Sequence, residues 1–292
     1  MKRYLNPGMI NMLWATIFFA AMNGLIKLLG QSYPPVEIVF FRSIVSLLIS
    51  YFTLKKLGVP PLGKNRGWLI LRGLVGAIAL IAFFTTLQQM PLASAVTLQF
   101  LSPIFTALLG VVIVKERLYG WQLVFFGLAF AGVLLVKGFD ARIDTFYFLL
   151  GIGSAIFSGL AYNIIRRIKQ REHPLVIVLY FPLVTVPLTF VWLLQVWQQP
   201  QGWDWFILLL IGVLTQFAQY FMTKAYQAEE LNKVASLNYL GLIYALGIGW
   251  VFFDEHFTLY AYLGMALVLL GVILNLWYKH RKESGNLGSA TK

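Results

Sequence analysis

Polar residues in this chain gather in short clusters. Between them run apolar blocks too long and too continuous to alternate at strand period or to show one polar helix face. Ten blocks, near residues 8–29, 36–54, 67–87, 92–114, 119–136, 146–165, 175–197, 204–226, 234–253 and 259–278, match the roughly 17–25 residues that carry a helix across a hydrocarbon core. Lipid offers backbone amides no partner, so each block is expected to be helical. The pattern predicts an all-α integral membrane protein with ten transmembrane helices. The first block runs on to Leu29 without a small-x-small cleavage site and is read as a retained span, not a signal peptide.

The blocks repeat. With a shift of 139 residues and no gap, Pro35, Ile38 and Val39 recur as Pro174, Ile177 and Val178, and Leu69, Leu71 and Gly73 recur as Leu208, Leu210 and Gly212. Gln88, Leu92, Leu98, Leu101 and Ile104 recur as Gln227, Leu231, Leu237, Leu240 and Ile243; Glu116, Gly132 and Val133 recur as Glu255, Gly271 and Val272. Two five-helix units are expected, over 1–139 and 140–278, with a basic tail over 279–292. An odd number of spans per unit would invert the second unit relative to the first, an arrangement typical of secondary transporters.

Lysine and arginine set the orientation. With both termini in the cytoplasm, the cytoplasmic segments hold 18 of them and the external loops two, Lys137 and Arg142. The net charge of +12 is then a mark of membrane topology, spread over short loops rather than gathered on a face for nucleic acid. The Lys115-Glu116-Arg117 turn falls inside and its counterpart Asp254-Glu255-His256 outside; the basic residues are lost while the Glu stays, which fits a helix-end cap. Apolar residues make up 59% of the chain and charged residues 12%, consistent with a multi-pass protein of a bacterial inner (plasma) membrane. There is no cysteine, and His173, His256 and His280 lie at span ends without ligand spacing, so neither a metal nor a cofactor is expected.

Several motifs carry a family resemblance. Met90-Pro91-Leu92-Ala93-Ser94-Ala95 leads to Ser102-Pro103, followed by Lys115-Glu116-Arg117-Leu118 and Gly127 to Gly132-Val133; Pro34-Pro35-Val36-Glu37-Ile38-Val39-Phe40-Phe41-Arg42 opens the second span. Together these resemble the EamA domain of the drug/metabolite transporter superfamily, present as two tandem copies over nearly the whole chain. The resemblance implies a ten-helix transporter with a central cavity, commonly an exporter of amino acids, amines or other small metabolites. The second copy departs from the first, with Gly241-Leu242 at the Ser-Pro pair and Phe181 at the position of Arg42.

Polar residues inside the spans point to the cavity. Gln216, Gln219, Tyr220 and Thr223 form one helical stripe, which would be costly against lipid. Gln99 and Ser102 share a face with Ala95 and Thr106, and Asn238 is the repeat mate of Gln99; this amide pair fits either cavity lining or interhelical bonding. Trp14 and Asn23 on the first span, with Tyr162 and Asn163 beside Ser154 and Ser158 on the sixth, complete the candidate lining. Lys27, Glu37 and Arg42 are expected to form an external ion-pair cluster, a gate or an anion site for a substrate carboxylate, and Arg72 to snorkel or to attract an anion. Pro103 is expected to bend its helix, and Gly73, Gly76, Gly247 and Gly249 to permit close sliding contacts.

No carboxylate lies near a span centre and there is no nucleotide-binding Gly-x-x-x-x-Gly-Lys-Ser/Thr loop. The reading is a secondary transporter, not an enzyme, moving an amino acid, carboxylate or related organic anion or zwitterion by alternating access, with export as one direction it allows. Its partners are the small-molecule substrate and the bilayer, without nucleic acid, and the state is a monomer or weak homodimer. An efflux carrier for amphipathic amines and a lipid scramblase stand as alternatives.

Overall fold

The computed structural model describes residues 7–30, 32–115, 118–138, 140–168, 172–228 and 237–289. Its helices are α1 (Pro7–Leu29), α2 (Pro35–Lys56), α3 (Arg66–Gln89), α4 (Leu92–Gln99), α5 (Ser102–Ile113), α6 (Gly120–Gly138), α7 (Thr145–Ile168), α8 (Pro174–Val196), α9 (Asp204–Ala228), α10 (Leu240–Phe253) and α11 (Leu259–Ser289). Counting Leu92–Ile113 as one, nine helices among the described residues are long and apolar enough to cross a membrane. Helix α10 has 14 residues, and part of the block expected over 234–253 lies outside the described residues.

One expectation needs correction. The block over 92–114 is not one bent helix: the chain turns at Phe100–Leu101, and Pro103 falls in the first turn of α5. There its missing N–H is one that a helix start leaves unpaired anyway, so Pro103 begins a helix rather than bending one. The chain also turns at Tyr239, the repeat mate of Phe100, without any proline nearby, and the two rings meet edge to face at 5.1 Å. Helix α11 continues through Ser289, into the basic segment over 279–292.

Hydrogen bonds tie the loops into two ends. At one end Tyr33 donates to Asp204 at 2.5 Å, the Gln198 N–H donates to Glu37, and Arg142 donates to the His256 carbonyl. At the other, Glu172 accepts from the Lys64 and Asn65 amides, and Arg167 donates to the Ile113 carbonyl. Burial alone would raise the Glu172 carboxyl, but the Asn65 and Lys64 hydrogen bonds hold it below the usual carboxylate value. Burial and the Asp204 hydrogen bond raise the Tyr33 phenol.

Close contacts recur with their partners exchanged. A Cβ on Gly73 would lie 2.7 Å from Val184, and one on Gly212 would lie 2.6 Å from Val45. On α6, Gly132 meets the Gly264 and Val268 backbone of α11; on α11, Gly271 meets the Phe125 and Ala129 backbone of α6. Each pair is the other shifted by 139 residues, which is the signature of a contact about a two-fold axis. Small residues at these crossings let the backbones touch, as membrane helices require for association without a hydrophobic drive.

Candidate functional site

Helices α2, α3, α4, α7, α8 and α9 line a partly open cavity of about 170 Å³. One face of α3 lines it through Arg72, Gly76, Ala79, Leu80 and Phe83, at helical spacing. From α7 come Ser158, Ala161, Tyr162 and Ile165; from α9, Thr215, Gln216 and Gln219. Helix α8 adds Val178, Phe181 and Pro182, α2 adds Arg42 and Ser46, and α4 ends on Gln99. Pro182 cannot bond back to the Val178 carbonyl, so the ring opens a polar backbone atom on a helix that carries few polar side chains.

Two guanidiniums dominate the electrostatics. Arg42, 5% exposed, donates from Nε to the Thr215 hydroxyl at 3.0 Å, and that hydroxyl in turn lies 2.8 Å from the Ile211 carbonyl. Arg72 has its Nε and Nη1 buried with no acceptor. Both cations sit against one ring: the Phe181 centroid is 5.8 Å from the Arg42 Cζ and 4.7 Å from that of Arg72. Gly76 makes room for this ring, because a Cβ there would lie 3.0 Å from Phe181. No lining residue is acidic. Thr215→Val, which keeps shape but removes the acceptor of Arg42, is expected to cost roughly 1–2 kcal/mol in thermal or denaturant unfolding; an unchanged midpoint would show that the hydroxyl does not hold Arg42.

The sequence candidates divide. Arg72, Gln99, Tyr162, Gln216 and Gln219 line the cavity. Gln99 also bonds across to α7, donating to Ser158 at 2.9 Å and lying 3.2 Å from the Ser154 hydroxyl, so it does both things its spacing allowed. Arg42, expected in an external ion pair, gate or anion site, lines the cavity. Tyr220, expected on the same stripe as Gln216 and Gln219, is 50% exposed on the outer face. The lining face of α9 is set by Thr215, Gln216 and Gln219, and at 100° per residue Tyr220 lies past its edge. The Thr223 side chain lies outside the described residues.

Trp14 is likewise on the outside, stacked on Phe18. Ser102 is buried at the start of α5, and its carbonyl accepts from Thr106. Asn163 is fully buried and joins helices, donating to the Thr106 and Gly159 carbonyls. Asn23 and Asn238 are half-buried and do not line the cavity. Spacing put Gln99 and Ser102 on one face, but the turn at Phe100–Leu101 separates them and only Gln99 lines the cavity.

The expected Lys27–Glu37–Arg42 cluster does not form. Lys27 pairs with Glu255 at 2.7 Å and donates to the Met90 carbonyl at 2.6 Å. Glu255 also accepts from the Leu92 amide at 2.8 Å, at the N-terminus of α4, where the helix dipole favours a carboxylate. Glu37 sits in the first turn of α2 and takes the Gln198 amide, leaving its other oxygen unpaired. The helix start directs its carboxylate toward the loop and away from Arg42. Glu116, the repeat mate of Glu255, lies outside the described residues.

Comparison with known proteins gives this arrangement a context. The model of the EamA-like transporter family matches twice, over residues 6–138 and 145–277. The pseudopaline exporter CntI of Pseudomonas aeruginosa strain UCBPP-PA14 is 32% identical over 258 residues, covering 86% of this chain and 89% of that protein. Human solute carrier family 35 member G1 is 27% identical over 276 residues, covering 86% and 75%. One solved crystal structure, 18% identical, superposes with a TM-score of 0.66 over 94% of this chain and 98% of its own, a likeness of fold alone.

Proposed function

The chain belongs to the EamA-like transporter family, and from that premise we propose that it is a secondary carrier of a small organic anion or zwitterion, such as an amino acid or carboxylate. It is a multi-pass inner-membrane transport protein of the drug/metabolite transporter superfamily. In this reading the two matched units are inverted five-helix repeats with both termini in the cytoplasm, and they rock about the cavity to open it to one side at a time. Support for the inversion comes from the partner-exchanged glycine contacts and from the loops alternating between two ends. The cavity is complete within one chain, which favours a monomer as the working unit. The solute is carried, not transformed, and the relative named as an exporter favours outward movement.

One observation carries the substrate class: Arg42 and Arg72 face the cavity and no acidic residue lines it. A carrier for cationic amines would need a counter-charge at that depth, so the amine-efflux alternative has no support here. The amides of Gln99, Gln216 and Gln219 and the Tyr162 hydroxyl supply neutral hydrogen bonds for the rest of the solute. The test is reconstitution into liposomes with a panel of labelled amino acids and carboxylates. Arg72→Gln is expected to lower anion uptake about tenfold more than uptake of a neutral solute, since hydrogen bonds to charge are worth roughly 1.5–3 kcal/mol. Gln219→Ala is expected to lower both classes by roughly threefold to tenfold. Equal loss for anions and neutral solutes would reject charge pairing by Arg72, and unchanged uptake in both variants would reject the cavity as the binding surface.

A further inference from the structure

The carrier reading leaves open what neutralises two arginines that line one cavity. Arg72 carries two buried nitrogens without an acceptor, and Arg42 has committed only its Nε, to Thr215. A guanidinium is a planar fork that takes a carboxylate through paired N–H donors, and both arginines line the same cavity. Burying a cation without a partner is costly, and two of like sign facing one void compound the cost. A single carboxylate brings one negative charge and leaves one guanidinium uncompensated.

Spacing and size narrow the answer. The shared Phe181 ring, within 6 Å of each Cζ, keeps the two cations near one another while occupying the space beside them, and Gly76 holds that ring in place. A void of about 170 Å³ is small; roughly 150 Å³ is enough for benzene. Resting on the carrier reading above, we infer that the cavity takes a short dianion, with one carboxylate on Arg42 and the other on Arg72, and that Phe181 sets their spacing. Arg42 and Arg72 are then the specificity-determining residues, and a monoanion of equal size is the disfavoured solute.

Succinate and its monomethyl ester are nearly matched in size and differ by one charge, so they make the probe. Labelled succinate is bound to the purified full-length protein and displaced by unlabelled succinate, glutarate, monomethyl succinate or butyrate. Succinate or glutarate is expected to displace at a concentration about tenfold or more below that of the two monoanions. Arg72→Gln is expected to shrink that difference to about threefold or less by weakening the dianion more than the monoanions, a change that a merely structural arginine would not produce. Phe181→Leu, which keeps both charges, is expected to alter the succinate-to-glutarate preference while retaining the dianion preference, and serves also if Arg72→Gln fails to fold. Monomethyl succinate displacing as well as succinate would overturn the inference. So would a protein that carries neutral amino acids but does not bind succinate, and that result would leave the carrier reading standing. Failure to carry any solute in the panel would sink both.

Discussion

Glu255→Ala is expected to remove about 3–5 kcal/mol of stability, read as a fall of roughly 6 °C or more in the unfolding midpoint of the detergent-solubilised protein. The carboxylate is 6% exposed and its partner Lys27 13%, so neither charge has water to fall back on. Removing it strands the Lys27 ammonium, which keeps only the Met90 carbonyl and the face of Phe253 at 5.4 Å. It also strands the Leu92 amide, the first donor of α4. The local backbone is built around this side chain. Asp254 adopts a left-handed φ of 51° to end α10, and a Cβ on Gly249 would sit 2.5 Å from a Glu255 oxygen. Glu255→Gln, which can still accept from Leu92, is expected to lose about half as much. Pairing Lys27→Met with Glu255→Ala should lose less than the two single changes added together, by about 1–3 kcal/mol. Strict additivity would show that the two charges do not interact, and a Glu255→Ala protein as stable as the parent would remove the pair from the account. The pair joins α1, the start of α4 and the segment after α10.

The membrane frame was legible because lipid imposes a length and a composition that no soluble segment shares. Every described span lies within a few residues of its apolar block. Positions that depended on rotation were not legible. Gln216 and Gln219 could be assigned to the cavity from spacing, but Tyr220 could not be separated from them, since a stripe read at 3.6 residues per turn is wider than the face a small void touches. Charge pairing was less legible still. Lys27, Glu37 and Arg42 are neighbours in sequence, and proximity suggested a cluster; the partner of Lys27 is Glu255, 228 residues away in the chain. The repeat held the missing clue. Glu255 recurs from Glu116 at a helix junction, and Phe181 replaces Arg42 at a matched position, so the two halves have diverged where they meet the cavity. Thr215 left no signal, because a lone threonine in an apolar block is unremarkable until Arg42 is seen to lean on it.

Helix packing outside the cavity can be tested with three glycines. Gly132→Ala would put a methyl 2.5 Å from the Gly264 carbonyl oxygen and 2.8 Å from the Val268 nitrogen. Gly271→Ala would put one 2.6 Å from the Phe125 carbonyl and 2.9 Å from the Ala129 nitrogen. These neighbours are backbone atoms, which cannot rotate aside, so α6 and α11 must separate as rigid rods and lose side-chain contacts along their length. Each change is expected to cost about 3 kcal/mol in the same unfolding measurement. Gly127, also on α6, has no atom within 4 Å of its missing Cβ. Gly127→Ala is therefore expected to be neutral, or to gain up to about 1 kcal/mol from helix propensity. Combining Gly132→Ala with Gly271→Ala should cost less than the sum, because helices already separated for one methyl accommodate part of the second. A Gly132→Ala protein as stable as Gly127→Ala would mean that α6 and α11 do not approach to backbone contact. Unequal losses at Gly132 and Gly271 would mean that the contact, though close, is not shared evenly between the two halves, and the case for a two-fold relation would weaken at its tightest point.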